Sequence, residues 1–63
     1  MSLDEFLDQA KCVPTQFRKG QYFYNLLAKV RPELAHMLME VGVDPFYDDK
    51  RIPAAIQFLQ ANW

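Results

Sequence analysis

The chain contains very little cysteine, histidine or glycine: one, one and two residues respectively among 63. A single cysteine excludes a disulfide bond within the chain, and one cysteine with one histidine is too few for a structural zinc site. The two glycines, Gly20 and Gly42, lie too far apart in the sequence to form a phosphate-binding loop. With neither a disulfide nor a metal, so short a chain must be stabilised by side-chain packing or by oligomerisation.

Long apolar runs and a strong excess of one charge are also missing. No stretch approaches the roughly 18 apolar residues of a membrane-spanning helix, and the acidic stretch 1–5 does not resemble a signal peptide, so we expect a cytoplasmic protein. The formal net charge of −1 gives no general electrostatic reason to bind nucleic acid or an anionic membrane. A hydrophobic content of 51% with 24% charged residues predicts one folded domain over residues 1–63.

The spacing of the apolar residues predicts an all-α fold, a compact bundle of four short helices. Ser2 and Glu5 form a capping box that starts the first helix, and Thr15 is positioned to cap the second. Gly42 supplies a left-handed residue that ends the third helix. The predicted helices span about 2–12, 15–30, 32–41 and 52–62.

The segment between the third and fourth helices is acidic and aromatic. Asp44 followed by Pro45 is typical of a cap with proline at the first helical position, which predicts a helical turn near 45–47. We expect Phe46 or Tyr47 to pack on the third and fourth helices. We expect the aspartates that follow, Asp48 and Asp49, to be solvated, and the alternative is a salt bridge to Arg51 or Arg31. The segment does not have the pattern of a calcium loop, because proline and aromatic residues interrupt the acidic positions and no glycine follows.

No constellation of residues predicts an enzyme. Cys12 and His36 are the conventional nucleophile and base, and no feature of the sequence brings them together. His36 lies between Glu33 and Glu40 at helical spacing, so we expect it to be exposed on a charged helix face. We therefore predict no catalytic residue, no metal site and no cofactor.

The second and third helices carry more apolar surface than a small bundle can cover. At about 100° per residue, the apolar arc spans roughly 240° of the second helix and roughly 200° of the third, whereas packing on one neighbouring layer needs little more than about 100°. The second helix is therefore either the central element of the fold or part of a binding surface. We expect some of the surplus to form a continuous exposed patch. The candidate partner-binding residues are Tyr22, Tyr24, Met37, Met39 and Phe58.

Several short motifs resemble a family of small uncharacterised phage and prophage proteins. The similarity spans roughly residues 18–63, and its most distinctive part is the hexapeptide Asp-Pro-Phe-Tyr-Asp-Asp at 44–49. The other matching pieces are Arg18-Lys19-Gly20-Gln21, Asn25-Leu26-Leu27, Arg31-Pro32-Glu33-Leu34-Ala35, Arg51-Ile52 and Trp63. The family brings no established activity and no catalytic residues. The resemblance implies a setting, the cytoplasm of a host cell, where small phage proteins bind and redirect host proteins.

These observations predict a small non-enzymatic protein-interaction module of phage or prophage type, which acts by stoichiometric binding to a host protein. One alternative is a structural homodimer in which the surplus apolar surface closes a two-fold interface. Another is a small helical nucleic-acid-binding protein, since Arg18 and Lys19 precede the aromatic residues of 22–24. The acidic remainder of the chain argues against nucleic acid as the partner.

Overall fold

The computed structural model describes all residues, 1–63, and consists of helices without any strand. The helices are α1 (Leu3–Ala10), α2 (Lys19–Val30), α3 (Pro32–Val41) and α4 (Ile52–Asn62), with a single 3₁₀ turn at Asp49–Arg51 directly before α4. The Cα radius of gyration is 10.3 Å, close to the value of about 10.6 Å expected for a compact domain of this length. The predicted all-α bundle of four short helices is thus confirmed.

The capping box starts α1 as predicted. The Ser2 hydroxyl oxygen accepts from the Glu5 main-chain N–H at 3.1 Å, and the Glu5 carboxylate accepts from the Ser2 N–H at 3.0 Å. Two N–H groups that the first helical turn leaves without partners are therefore satisfied. The helix ends at Ala10 with Lys11 as its C-cap, slightly before the predicted end.

The predicted start of α2 at residue 15 was wrong. Residues 14–17 form a turn in which Phe17 N–H donates to the Pro14 carbonyl at 3.1 Å, and the helix begins at Lys19. Thr15 does not cap it: the N-cap is Arg18, whose side chain makes no capping bond. The capping group comes from elsewhere in the chain, because the Asp49 carboxylate accepts from the Gly20 N–H at 2.9 Å.

The bounds of α3 and α4 agree with the prediction. Pro32 occupies the start of α3, and Gly42 ends it in the left-handed region at φ 79°. The Val43 N–H reaches back to the Leu38 carbonyl at 3.1 Å, which satisfies an oxygen that the last helical turn leaves free.

The helical turn expected near 45–47 lies instead at Asp49–Arg51. Asp44 does act as a cap, but of a tight turn: its carboxylate accepts from the Phe46 N–H at 2.8 Å, and the Asp48 N–H donates to the Pro45 carbonyl at 3.1 Å. An aspartate whose carboxylate accepts from the main-chain N–H two residues later in the sequence favours a turn over a continuing helix. Asp48 caps the 3₁₀ turn, accepting from the Lys50 N–H at 3.0 Å.

All four helices contribute to one core, and α2 lies at its centre. Helix α2 packs against α1, α3 and the 3₁₀ turn, while α4 packs against α3. The Phe6 and Phe23 rings meet edge to face at 5.1 Å between centroids. The buried apolar residues are Phe6, Ala10, Phe23, Leu27, Leu34, Ala35, Leu38, Ala55 and Leu59. The central position of α2 accounts for much of its broad apolar arc.

Candidate interaction surfaces

Residues 44–49 are fastened to the beginning of α2 by charged and main-chain hydrogen bonds. The Arg18 guanidinium donates to the Phe46 carbonyl at 2.7 Å and approaches the Asp49 carboxylate at 3.4 Å. The same carboxylate accepts from the Gly20 N–H. A β-carbon at Gly20 would overlap the Pro45 carbonyl oxygen, so only glycine allows the two backbones to come this close.

This attachment places two aromatic side chains beside the α2–α3 pair. The Phe46 ring meets the Tyr24 ring edge to face at 5.8 Å between centroids, and the Tyr47 ring meets Phe46 at 4.7 Å. The Tyr24 hydroxyl donates to the Met39 sulfur at 2.9 Å. We call these four residues, Tyr24, Met39, Phe46 and Tyr47, the aromatic surface.

The aromatic surface is open to solvent at one end and acidic at its edge. Tyr47 is 84% exposed and Met39 55% exposed, whereas Tyr24 and Phe46 are half-buried. Burial raises the pKa of the Tyr24 hydroxyl, and the negative charge of Asp44 raises the same pKa further. The Asp44 carboxylate therefore lies at the edge of these rings.

The structure divides the five predicted partner-binding residues among separate places. Tyr24 and Met39 meet in the aromatic surface, but Tyr22 packs against Phe17 at 5.8 Å between ring centroids. Tyr22 and Tyr24 are two positions apart on one helix, so they point about 200° away from each other. Met37 and Met39 are separated in the same way.

None of the five predicted residues is fully buried. Met37 is 37% exposed, and Tyr22 and Phe58 are half-buried, the latter against the core. We expected some of the five to form one continuous patch, and of the five only Tyr24 and Met39 are joined by a hydrogen bond. Residues two apart on a helix do not share one face, so Tyr22 and Met37 lie away from that pair.

The sequence reasoning missed Phe46 and Tyr47 as surface residues. We expected one of them to pack on the third and fourth helices, but Phe46 packs against Tyr24 of α2 and Tyr47 is exposed. Aspartates are rarely buried, so the aspartates on both sides of Phe46 and Tyr47 could have indicated that this segment lies at the surface.

The histidine and the cysteine lie in unrelated settings. His36 is exposed and contacts Glu40 at 2.6 Å, as its helical spacing predicted. The exposed Cys12 thiol contacts the Asp8 carbonyl at 3.7 Å. No cluster of three or more metal-ligating side chains is present. None of the helices has the length and apolar character needed to span a membrane.

A second surface feature is a groove of about 430 Å³ between α1, the start of α2 and α4. Its walls are apolar except at two lysines, Lys11 at the end of α1 and Lys19 at the start of α2. The apolar lining residues are Leu7, Ala10, Val13, Phe23, Ile52 and Ile56. This groove was not predicted from the sequence, because its residues come from three separate stretches of the chain, 7–13, 19–23 and 52–56.

Comparison with protein-family models, curated proteins and solved structures gives no match. The resemblance of residues 18–63 to small phage proteins therefore stays a prediction, and the geometry of the chain itself must carry the functional argument.

Proposed function

We propose that this protein is a non-enzymatic interaction module that binds another protein stoichiometrically through the aromatic surface. The observation that carries the proposal is Tyr47, a large aromatic side chain that is 84% exposed on a segment fastened at both sides. A tyrosine in an unconstrained loop would have no defined position. Here the Phe46 ring and the bonded backbone of 44–49 hold Tyr47 in place.

The composition of the aromatic surface is typical of a protein interface. Tyrosine, phenylalanine and methionine are enriched at interface centres, and methionine adapts its shape to different partners. The Asp44 carboxylate at the edge favours a partner whose matching surface is apolar at the centre and carries a positive charge beside it. The resemblance to small phage proteins implies that the partner is a host protein.

Self-association through the same four residues is the competing function, and sedimentation separates the two. For a hetero-binding module, we expect one monomer mass at about 10 µM and at about 500 µM. A mass that rises towards twice the monomer at the higher concentration would instead support the homodimer.

A double substitution within the aromatic surface, compared with a substitution at Met37, tests the surface. We expect Met39→Ser combined with Tyr47→Ser to abolish capture of the partner from a host lysate, because both changed residues belong to the aromatic surface. Met37→Ser is the control, since Met37 is also exposed on α3 but faces away from Met39. Equal capture by the double variant and the Met37 variant would contradict the proposal.

A further inference from the structure

We infer that the groove between α1, α2 and α4 binds an aliphatic carboxylate, a flexible hydrocarbon chain that ends in a negatively charged group. The volume of about 430 Å³ lies within the range of small-molecule sites, roughly 300–1,000 Å³. Six of the eight lining residues are hydrophobic, and the remaining two are lysines. Such a lining offers a hydrocarbon chain an apolar surface and offers an anion two positive charges.

The two lysines are the feature that selects an anion. All three arginines of the chain form ion pairs, Arg18 with Asp49, Arg31 with Glu33, and Arg51 with Asp48. Neither Lys11 nor Lys19 has an ion-pair partner in the structure. Both lysines line the groove and are exposed, so each offers a carboxylate a positive charge that no side chain of the protein neutralises.

The lining also argues for a hydrocarbon chain over an extended peptide. The two ammonium groups are the only polar side-chain groups on the walls, and both are hydrogen-bond donors without acceptor capacity. The side chains of the groove therefore offer an extended peptide no acceptor for its main-chain N–H groups. A hydrocarbon chain has no such groups to satisfy.

The test is a titration of the full chain with hexanoate, octanoate and decanoate, followed by methyl-resolved NMR. We expect the Leu7, Ile52 and Ile56 methyl signals to shift, while those of Leu38 in the core and Met39 on the aromatic surface stay in place. Affinity should rise with chain length, by up to about fourfold for each added methylene that becomes buried. Shifts confined to the aromatic surface would overturn the inference.

Charge variants test the role of the lysines separately. We expect Lys11→Gln and Lys19→Gln each to weaken decanoate binding by about two- to fivefold, as for an exposed ion pair. Lys29→Gln is the matched control, because Lys29 lies on α2 beside Phe17 and Tyr22, away from the groove. Thermal melts of each variant confirm that the fold is retained.

Decanol completes the experiment as an uncharged probe of equal chain length. Weaker binding of decanol than of decanoate supports the assignment of a carboxylate. Equal binding of the two, or equal affinity of decanoate for all three lysine variants, would show that charge plays no part and would overturn the inference.

Discussion

At the scale of single residues, Gly20 decides whether the 44–49 segment can attach to α2. Its N–H donates to Asp49, and its missing side chain leaves room for the Pro45 carbonyl. Within a helix glycine is unfavourable by about 1 kcal/mol relative to alanine. The structure therefore keeps a residue that weakens α2 locally because a side chain there would separate two pieces of backbone.

Gly20→Ala tests this balance between helix propensity and close approach. If propensity dominated, the substitution would stabilise the protein by up to about 1 kcal/mol. We expect the opposite, a loss of at least about 1 kcal/mol in the free energy of unfolding, because the obstructing atoms belong to the backbone and cannot rotate away. Urea unfolding measures the difference.

Asn25→Ala serves as the control for Gly20→Ala, since it introduces the same residue at an exposed position of the same helix. There we expect a stability change within about 0.5 kcal/mol, in the stabilising direction. A stabilised Gly20→Ala protein would show that the contact between α2 and Pro45 is not important for the fold.

At the scale of elements, helix ends were predictable wherever their caps are local. The Ser2–Glu5 box and Gly42 act within a few residues of themselves, so the start of α1 and the end of α3 follow from short sequence patterns. The start of α2 does not, because its capping carboxylate, Asp49, lies 29 residues beyond the Gly20 that it binds. No local pattern records that contact.

The difference between local and long-range contacts also explains which residues of the candidate surfaces could be predicted from the sequence. Broad apolar arcs identified Tyr24 and Met39 as candidates, but they cannot show which neighbours cover which side of a helix. Phe46 and Tyr47 join that surface only through contacts made by Arg18 and Asp49. Contacts between residues so far apart in the sequence depend on the tertiary fold, and local sequence patterns do not predict them.

The capping box predicts how α1 responds to acid. Hydrogen bonds from the Ser2 main chain and hydroxyl hold the pKa of the exposed Glu5 carboxyl below its ordinary value, and Arg31 does the same for the pKa of Glu33. A lowered pKa in the folded state stabilises the fold at pH values above the pKa of the unfolded chain, which is about 4.3 for glutamate. That stabilisation is lost as the pH falls through the folded pKa.

We therefore expect the melting temperature to decline as the pH falls from about 5 to about 3, and Glu5→Gln to make the decline shallower. Part of the decline should remain, because Glu33 is unchanged. Asp8→Asn is the control, since Asp8 is exposed on α1 and its carboxylate has no ion-pair or hydrogen-bond partner. Parallel pH profiles for Glu5→Gln and the unmodified protein would contradict the assigned role of the box.

At the scale of the whole molecule, Trp63 connects parts of the chain that are distant in sequence. Its indole N–H donates to the Met1 carbonyl at 3.3 Å, and its ring packs on Phe6 at 5.4 Å between centroids. Arg31, at the junction of α2 and α3, lies 4.9 Å from the ring centroid and donates to the Trp63 main-chain oxygen at 3.2 Å. One side chain thus closes α1 and α4 against the α2–α3 pair.

Trp63→Ala should accordingly destabilise the entire domain. Truncating a fully buried tryptophan costs about 3–5 kcal/mol, and because Trp63 is half-buried we expect a loss of about 2 kcal/mol. Trp63→Phe keeps a ring on Phe6 and Arg31 but removes the indole donor, so its loss should be about half as large. Tyr47→Ala is the exposed aromatic control, with an expected change within about 0.5 kcal/mol. A loss for Trp63→Ala no greater than for that control would show that the closure adds no stability.

The attachment of residues 44–49 to α2 also has a kinetic and entropic consequence for binding. Ordering a flexible loop at the moment of association costs roughly 1–2 kcal/mol for each residue that is fixed. In this protein the side chains of Arg18, Asp44 and Asp49 already hold the segment in place. The segment therefore loses its conformational entropy during folding, before any partner binds. The segment is preorganised, and a partner of Tyr47 should dock on it as on a rigid body, without a slow ordering step after the first encounter.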